Sequence, residues 1–307
     1  MLLSVVIPCH NEEEVLDTLS RRLDEVLQGM GHPYEVVLVD DGSRDSTWKM
    51  MVDLAQRDSH YQVIRLTRNF GHQRALTAGL DRARGDYIVI LDADLQDPPE
   101  LMPEMLRLAQ HGYDVVYGQR IERQGEGAFK RGTASLFYRM MNLLVERPIP
   151  QDAGDFRLVS RRALDMLKGM PEYHRFLRGM IAWIGLPQVA LPYVRQARVA
   201  GVSKYPLHQM LAFALDAVTG FSTKPLTLAS WAGLFSALVG IGLLIFTIYS
   251  WYFLEAVPGW ASIISAIAIF SSAQLLVLGL IGEYLGRLYE QSKNRPLYLI
   301  EETVGSR

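Results

Sequence analysis

Short, nearly continuous apolar runs punctuate the first part of the chain: Leu3–Pro8, Glu35–Asp40, Gln62–Leu66, Tyr87–Leu91 and Asp114–Tyr117. Runs without a polar face are the pattern of strands covered on both sides. Between them, apolar positions recur at helical spacing over Glu12–Met30, Ser46–Gln56, Gln73–Ala83 and Glu100–His111. Gly29, Gly31, Gly85 and Gly112 mark helix ends. Such alternation predicts an α/β domain built on a mostly parallel, Rossmann-like sheet with right-handed crossovers.

The pattern then changes. Phe129–Arg147 reads as an amphipathic helix, with Leu136, Phe137, Met140, Met141 and Leu144 on one side and Arg131, Ser135, Tyr138 and Asn142 on another. Core packing and an interfacial helix both fit this stripe; the flanking Lys130, Arg139 and Arg147 suit the second. Pro206–Phe221 is a second interfacial candidate. Pro225–Leu254 and Ala256–Gly282 carry no charge at all. Each exceeds the roughly 20 residues needed to cross a hydrocarbon core. Trp231, Trp251, Tyr252 and Trp260 fall near the expected interfaces. A pair of buried core helices is the other reading, and two such windows back to back disfavour it.

The predicted organisation is a catalytic domain over 1–205, an interfacial helix over 206–224, transmembrane helices over 225–254 and 256–282, and a tail over 283–307. Lys204 and Lys224 precede the first window and Arg287, Lys293 and Arg295 follow the second, whereas Glu255–Ser262 has no Lys or Arg. The positive-inside rule then puts the catalytic domain and both termini in the cytoplasm and the Val257-Pro258-Gly259 turn outside. A multi-pass protein of the cytoplasmic membrane is expected, in contact with the bilayer. Gly233, Gly240, Gly242, Gly279, Gly282 and Gly286 would permit close helix contact, as in a homo-oligomer.

Net charge of −2 gives no reason to expect nucleic acid. The one cysteine, Cys9, excludes an intrachain disulfide and fits a reducing compartment. Leu2–Ile7 is too short and lacks the basic flank of a signal peptide, so it reads as the first strand.

The chemistry gathers where the apolar runs stop. Asp92-Ala93-Asp94 follows Tyr87–Leu91, with Gln96 in the same alternating register and Pro98-Pro99 ending the strand. Two carboxylates so close resist joint ionisation, and a divalent cation with oxygen ligands resolves the conflict. A turn rich in Asp and Pro is the plainer reading. The first run ends in Pro8-Cys9-His10-Asn11-Glu12, the second in Asp40-Asp41-Gly42-Ser43. All three turns lie on the edge where open α/β sheets bind ligands. The first turn lacks the Gly-x-Gly-x-x-Gly fingerprint of dinucleotide sites. Asp45 reads as a helix cap.

These residues carry a family resemblance. Val5-Val6-Ile7-Pro8, Asn11-Glu12, Val39–Ser43, Asp45-Ser46-Thr47 and Asp92-Ala93-Asp94 resemble the inverting family 2 glycosyltransferases with the GT-A fold. Arg68–Gln73, Asp92–Glu100, Gly154–Leu158 and Arg198–Tyr205 are similar to the polyprenyl-phosphate branch: dolichyl-phosphate mannose synthases and the bacterial undecaprenyl-phosphate glucosyl and aminoarabinosyl transferases. The resemblance runs from about Leu3 to Pro296. It implies a nucleotide pocket lined by Pro8, Asn11, Glu12, Asp40 and Asp41. It implies Mg2+ or Mn2+, with the donor diphosphate, at Asp92, Asp94 and Gln96, and an acceptor phosphate at Arg131, Ser135, Arg198 and Lys204. Arg120, with Arg123 as competitor, matches a family arginine after the fifth strand. Asp155 matches the acidic residue often assigned as catalytic, alongside Asp94.

The expected reaction is attack by a polyprenyl phosphate oxygen on the anomeric carbon of a nucleotide sugar. UDP-glucose heads the donors, with aminoarabinose and mannose open. A phosphate monoester has its second pKa near ~6, so no strong base is required and Asp155 is expected to position substrate. Two other readings stand beside this one. A processive polysaccharide synthase would need more spans and a Gln-x-x-Arg-Trp motif that is not found here. A non-catalytic membrane adaptor sits badly with intact Asp92, Asp94 and Asp155.

Overall fold

The computed structural model describes residues 1–121, 153–194, 224–253 and 259–305. Strands β1 (Leu3–Cys9), β2 (Tyr34–Asp40), β3 (Tyr61–Leu66) and β4 (Tyr87–Ile90) alternate with helices α1 (Leu16–Gly29), α2 (Thr47–Arg57) and α3 (His72–Arg82). Then come a 3-10 turn at Pro99–Leu101, α4 (Met102–Gln110), β5 (Val115–Arg120), β6 (Ala153–Ser160), α5 (Arg161–Lys168), α6 (Leu177–Ile184) and β7 (Gln188–Tyr193). Two long helices follow, α7 (Lys224–Phe253) and α8 (Trp260–Ser292), and then a last strand, β8 (Ile300–Gly305).

All eight strands form one sheet in the order β7-β5-β6-β4-β1-β2-β3-β8. The central run β4-β1-β2-β3 is parallel, as the alternation predicts. β6 runs antiparallel between β4 and β5, β7 is parallel to β5, and β8 closes the far edge antiparallel to β3. From β1 the chain winds one way to β2 and β3, and then the other way to β4. The gap between β1 and β4 is therefore the switch point, and ligands of such sheets bind outside the carboxyl ends there.

The core explains why these strands hold. Val5, Val6, Ile7, Val36, Val37, Leu38, Val63, Ile64, Ile88 and Val89 are all inaccessible on both faces of the sheet. α1 buries Leu16, Leu19, Leu23 and Leu27, which recur on one helical stripe. Each such leucine contributes roughly 1.5–3 kcal/mol of burial. α1 starts at Leu16 rather than Glu12, because the backbones of Glu12 and Glu13 are drawn into contacts with Thr47 and Asp45.

The chain divides into two compact units: Met1–Arg139 with Arg147–Leu207 and Arg295–Arg307, and Met140–Glu146 with His208–Asn294. Within the second, α7 and α8 touch each other. Their outer faces are apolar: Trp231, Phe235, Leu238 and Ile245 on α7, and Ile267, Leu275, Leu276 and Ile281 on α8, are all exposed. Among the described residues, Ile269–Ser292 is long and apolar enough to cross a membrane, and Ala229–Gly242 is a shorter apolar stretch. The tail region 283–307 thus contains the end of α8 and all of β8.

Candidate active site

The loops after β1 and β2 are stitched together along the sheet's carboxyl edge, beyond Pro8. Asn11 takes a left-handed φ of 56°, which asparagine tolerates. Its backbone N–H donates to Ser43 Oγ at 2.9 Å, and its side-chain oxygen accepts from Arg44 N–H at 2.9 Å. The Glu12 N–H donates to Thr47 Oγ1 at 2.8 Å. Ser46 is the N-cap of α2 rather than Asp45, which lies one residue earlier and accepts from Thr47 N–H at 3.1 Å.

Asp40 and Asp41 are both buried but differ in what they hold. Asp40 Oδ1 accepts from Ser43 N–H at 3.0 Å, and Oδ2 lies 3.4 Å from Arg65 Nε. Asp41 accepts the backbone N–H groups of Phe70 at 2.7 Å and Gly71 at 2.9 Å. It therefore braces the loop that delivers His72 to the switch point.

On the other side of β4 from β1, the β4–β6 register pairs Ile90 with Arg157. Continued two residues outward, it sets Asp92 opposite Asp155. Asp155 is buried and met by a bidentate arginine: Arg178 Nε donates to Oδ1 at 2.7 Å and Nη2 to Oδ2 at 3.0 Å. His72 Nε2 is 3.2 Å from Asp155 Oδ2 and 3.5 Å from Asp92 Oδ1. Gln73 Nε2 donates to Asp155 at 3.4 Å, while Gln73 Oε1 accepts from Leu177 N–H at 3.1 Å, tying α3 to the start of α6. Burial alone would raise the Asp155 pKa. The charge of Arg178 and the hydrogen bonds from His72 and Arg178 outweigh it and hold the carboxyl well below its usual range. His72 shifts upward: burial opposes its cation, but the Asp155 hydrogen bond and the Asp92 charge prevail.

Asp92 is the opposite case. Burial pushes its pKa up to about 6; His72 works against that, and the charges of Asp155, Asp97 and Asp94 add to it. Its Oδ1 is a buried acceptor with no hydrogen-bond partner among the described residues. Asp94 Oδ1 accepts from Gln96 N–H at 3.1 Å. The intervening Leu95 is buried and left-handed at φ 56°, a conformation that costs a non-glycine residue roughly 1–2 kcal/mol. Strain and surplus negative charge thus meet in one short loop. Ligand atoms of His72, Asp92 and Asp155 lie within 4.8 Å of one another, a possible cation site. The buried Asp92 oxygen and the raised pKa both fit a divalent ion with a taste for oxygen ligands.

The sequence profile of glycosyl transferase family 2 matches residues 4–167. The chain belongs to that family. Among relatives, an uncharacterized glycosyltransferase YkcC of Bacillus subtilis is 44% identical over 98% of this chain and 94% of its own length. The SfII prophage-derived bactoprenol glucosyl transferase of Shigella flexneri is 38% identical over 99% of this chain and 98% of its own. The solved mannosyl-3-phosphoglycerate synthase of Rubrobacter xylanophilus covers 71% of this chain and 72% of its own, with 20% identity and a TM-score of 0.50. That last likeness concerns the fold.

In this family 2 glycosyltransferase, Asn11, Glu12, Asp40, Asp41, Asp92, Asp94, Gln96, Arg120 and Asp155 all come from the carboxyl edge of one sheet. Asp92 faces His72 and Asp155, and Asp94 Oδ1 accepts from the Gln96 backbone. Arg131, Ser135, Arg198 and Lys204, together with Arg123, lie outside the described residues. Sequence reasoning missed four groups. His72 and Gln73 lay within the quoted Arg68–Gln73 motif without a role. Arg178 has no local pattern to mark it, and neither has Tyr193, which reaches Asp97 and Arg120.

Proposed function

We propose that this glycosyltransferase moves a glucosyl group from a nucleotide sugar to polyprenyl phosphate, with inversion and release of the nucleoside diphosphate. The observation that carries the reading is the full-length match to a bactoprenol glucosyl transferase, which spans both the catalytic unit and the long helices.

The chain's own groups suit the chemistry. Pro8, Asn11, Glu12, Asp40 and Asp41 line the nucleotide pocket. Asp92, Asp94 and Gln96 would hold Mg2+ or Mn2+, which supplies Lewis-acid neutralisation of the leaving diphosphate. Asp155 is held by Arg178 as a firmly ionised carboxylate, so it is a weak proton acceptor. The acceptor phosphate is mostly deprotonated at neutral pH already, its second pKa being near ~6. Asp155 then positions a substrate, and Arg131, Ser135, Arg198 and Lys204 gather the acceptor phosphate.

The acceptor's isoprenoid tail requires a bilayer, and the exposed apolar faces of α7 and α8 favour one. β8 pairs with β3 in the catalytic sheet, so the chain returns to the catalytic side after α8. An even number of crossings satisfies this and a single crossing does not, which supports the hairpin topology. A cysteine at Gly259 in a Cys9→Ser background should react with an impermeant thiol reagent outside intact cells, and one at Asn294 should not. The reverse pattern overturns the orientation.

The central test is a membrane assay with undecaprenyl phosphate and a panel of labelled nucleotide sugars. A lipid-linked glucose is expected. A polymer would favour a processive synthase, and no product would favour an adaptor.

A further inference from the structure

We infer that Tyr193 and Asp97 are positioning residues for Arg120, fixing its guanidinium at the sheet's carboxyl edge as a contact for substrate phosphate oxygens. The inference rests on the proposed joining of two phosphate-bearing substrates. Arg120 ends β5 and Tyr193 ends β7, and the two are register partners. The Tyr193 hydroxyl donates to Asp97 Oδ1 and accepts from Arg120 Nε at 3.2 Å. Arg120 Nη2 lies 3.6 Å from Asp97 Oδ2. Asp97 is wholly buried, Tyr193 is 5% exposed, and the Arg120 side chain is 21% exposed. The cation is thus anchored from the interior while part of it reaches the surface.

The neighbouring strands make room for this arrangement. A Cβ on Gly118 would lie 2.8 Å from the Tyr193 ring, and one on Gly154 would lie 2.5 Å from Arg120 Nη2. The Phe156 ring meets Tyr193 edge-on, with centroids 6.0 Å apart. Gly154 immediately precedes Asp155 in β6. Two anionic substrates must approach an edge that already carries Asp92, Asp94, Asp97 and Asp155. Arg178 pairs with Asp155 and Arg65 lies against Asp40, as Arg120 lies against Asp97. Guanidinium is suited to the task because its donors match phosphate oxygens in pairs. The oxygens belong either to the donor diphosphate or to the acceptor monoester.

Tyr193→Phe keeps the ring packing and deletes only the hydroxyl. Calorimetry with UDP and, separately, with undecaprenyl phosphate in detergent micelles reads binding without turnover. Tyr193→Phe should weaken one of the two about tenfold, and the affected ligand identifies the source of the phosphate. Arg120→Gln should weaken the same ligand, and Tyr193→Phe should add nothing in the Arg120→Gln background. Unchanged binding of both ligands, or additive losses in the double variant, overturns the inference. Failure of the wild-type chain to form a lipid-linked sugar would strike the transfer reaction instead, because the binding cycle does not depend on turnover.

Discussion

At the start of β6, a buried carboxylate meets a bidentate arginine, a histidine and a glutamine amide. Beside it, at the end of the neighbouring strand β4, a second carboxylate has one buried oxygen without a hydrogen bond among the described residues, and its neighbours are mostly other acids. Asp155 and Asp92 face one another in one sheet register, share His72, and have pKa values displaced in opposite directions. The difference teaches where each can act. Asp155 is neutralised from within the fold and has its lone pairs spoken for, so its geometry is fixed before any substrate arrives. Asp92 meets His72 at 3.5 Å but also the charges of Asp155, Asp97 and Asp94, a surplus that an external cation can answer.

The largest effect should come from removing the unanswered side. Asp92→Ala or Asp94→Ala should lower transfer by about a thousandfold or more, since both are proposed to serve the leaving diphosphate. Chelation with EDTA should do the same to the wild-type enzyme, with recovery on adding Mg2+ or Mn2+. Near-normal turnover in Asp94→Ala, or activity that survives EDTA, would erase the contrast between the two carboxylates.

How much of this could be read in advance follows from where the determinants lie along the chain. β1 to β5 were legible because strands covered on both faces leave continuous apolar runs, and their ends carried the acidic turns. β4 ends at Ile90, two residues before Asp92, and left-handed Leu95 turns the chain between Asp94 and Gln96, so strand alternation does not carry through to Gln96. Arg178 escaped notice because its partner is 23 residues away and only the fold brings them together. β8 looked like a polar tail because an edge strand needs only one buried face, and Ile300 and Val304 are all that mark it.

The neutralised side can be broken next. Arg178→Gln leaves Asp155 buried with a weaker partner and should cost about 3 kcal/mol in thermal unfolding. The pH dependence gives the sign. Asp155 has a folded pKa below its unfolded value, so its pairing stabilises the enzyme fully above roughly pH 4. That contribution is lost as pH falls through the depressed folded value. Arg178→Gln should therefore shift the acid unfolding midpoint upward. A variant that unfolds in acid at the wild-type pH would show that Arg178 does not hold Asp155 ionised.

The smallest and most discriminating effect concerns Asp92→Asn. In the metal-free enzyme an elevated carboxylate pKa means that ionisation at neutral pH works against the fold. Asparagine keeps the shape and removes the charge. With EDTA present at pH 7, Asp92→Asn should be more stable than wild type, by on the order of 1–3 kcal/mol. The gain should vanish below roughly pH 4, where wild-type Asp92 is itself protonated. Adding Mg2+ should stabilise the wild type and leave Asp92→Asn nearly unchanged, reversing or closing the gap. Such a variant would be sturdier and inactive together, the signature of a residue kept for chemistry at a cost to the fold. If Asp92→Asn instead loses stability in EDTA at pH 7, Asp92 is satisfied within the protein as Asp155 is, and the two carboxylates are alike.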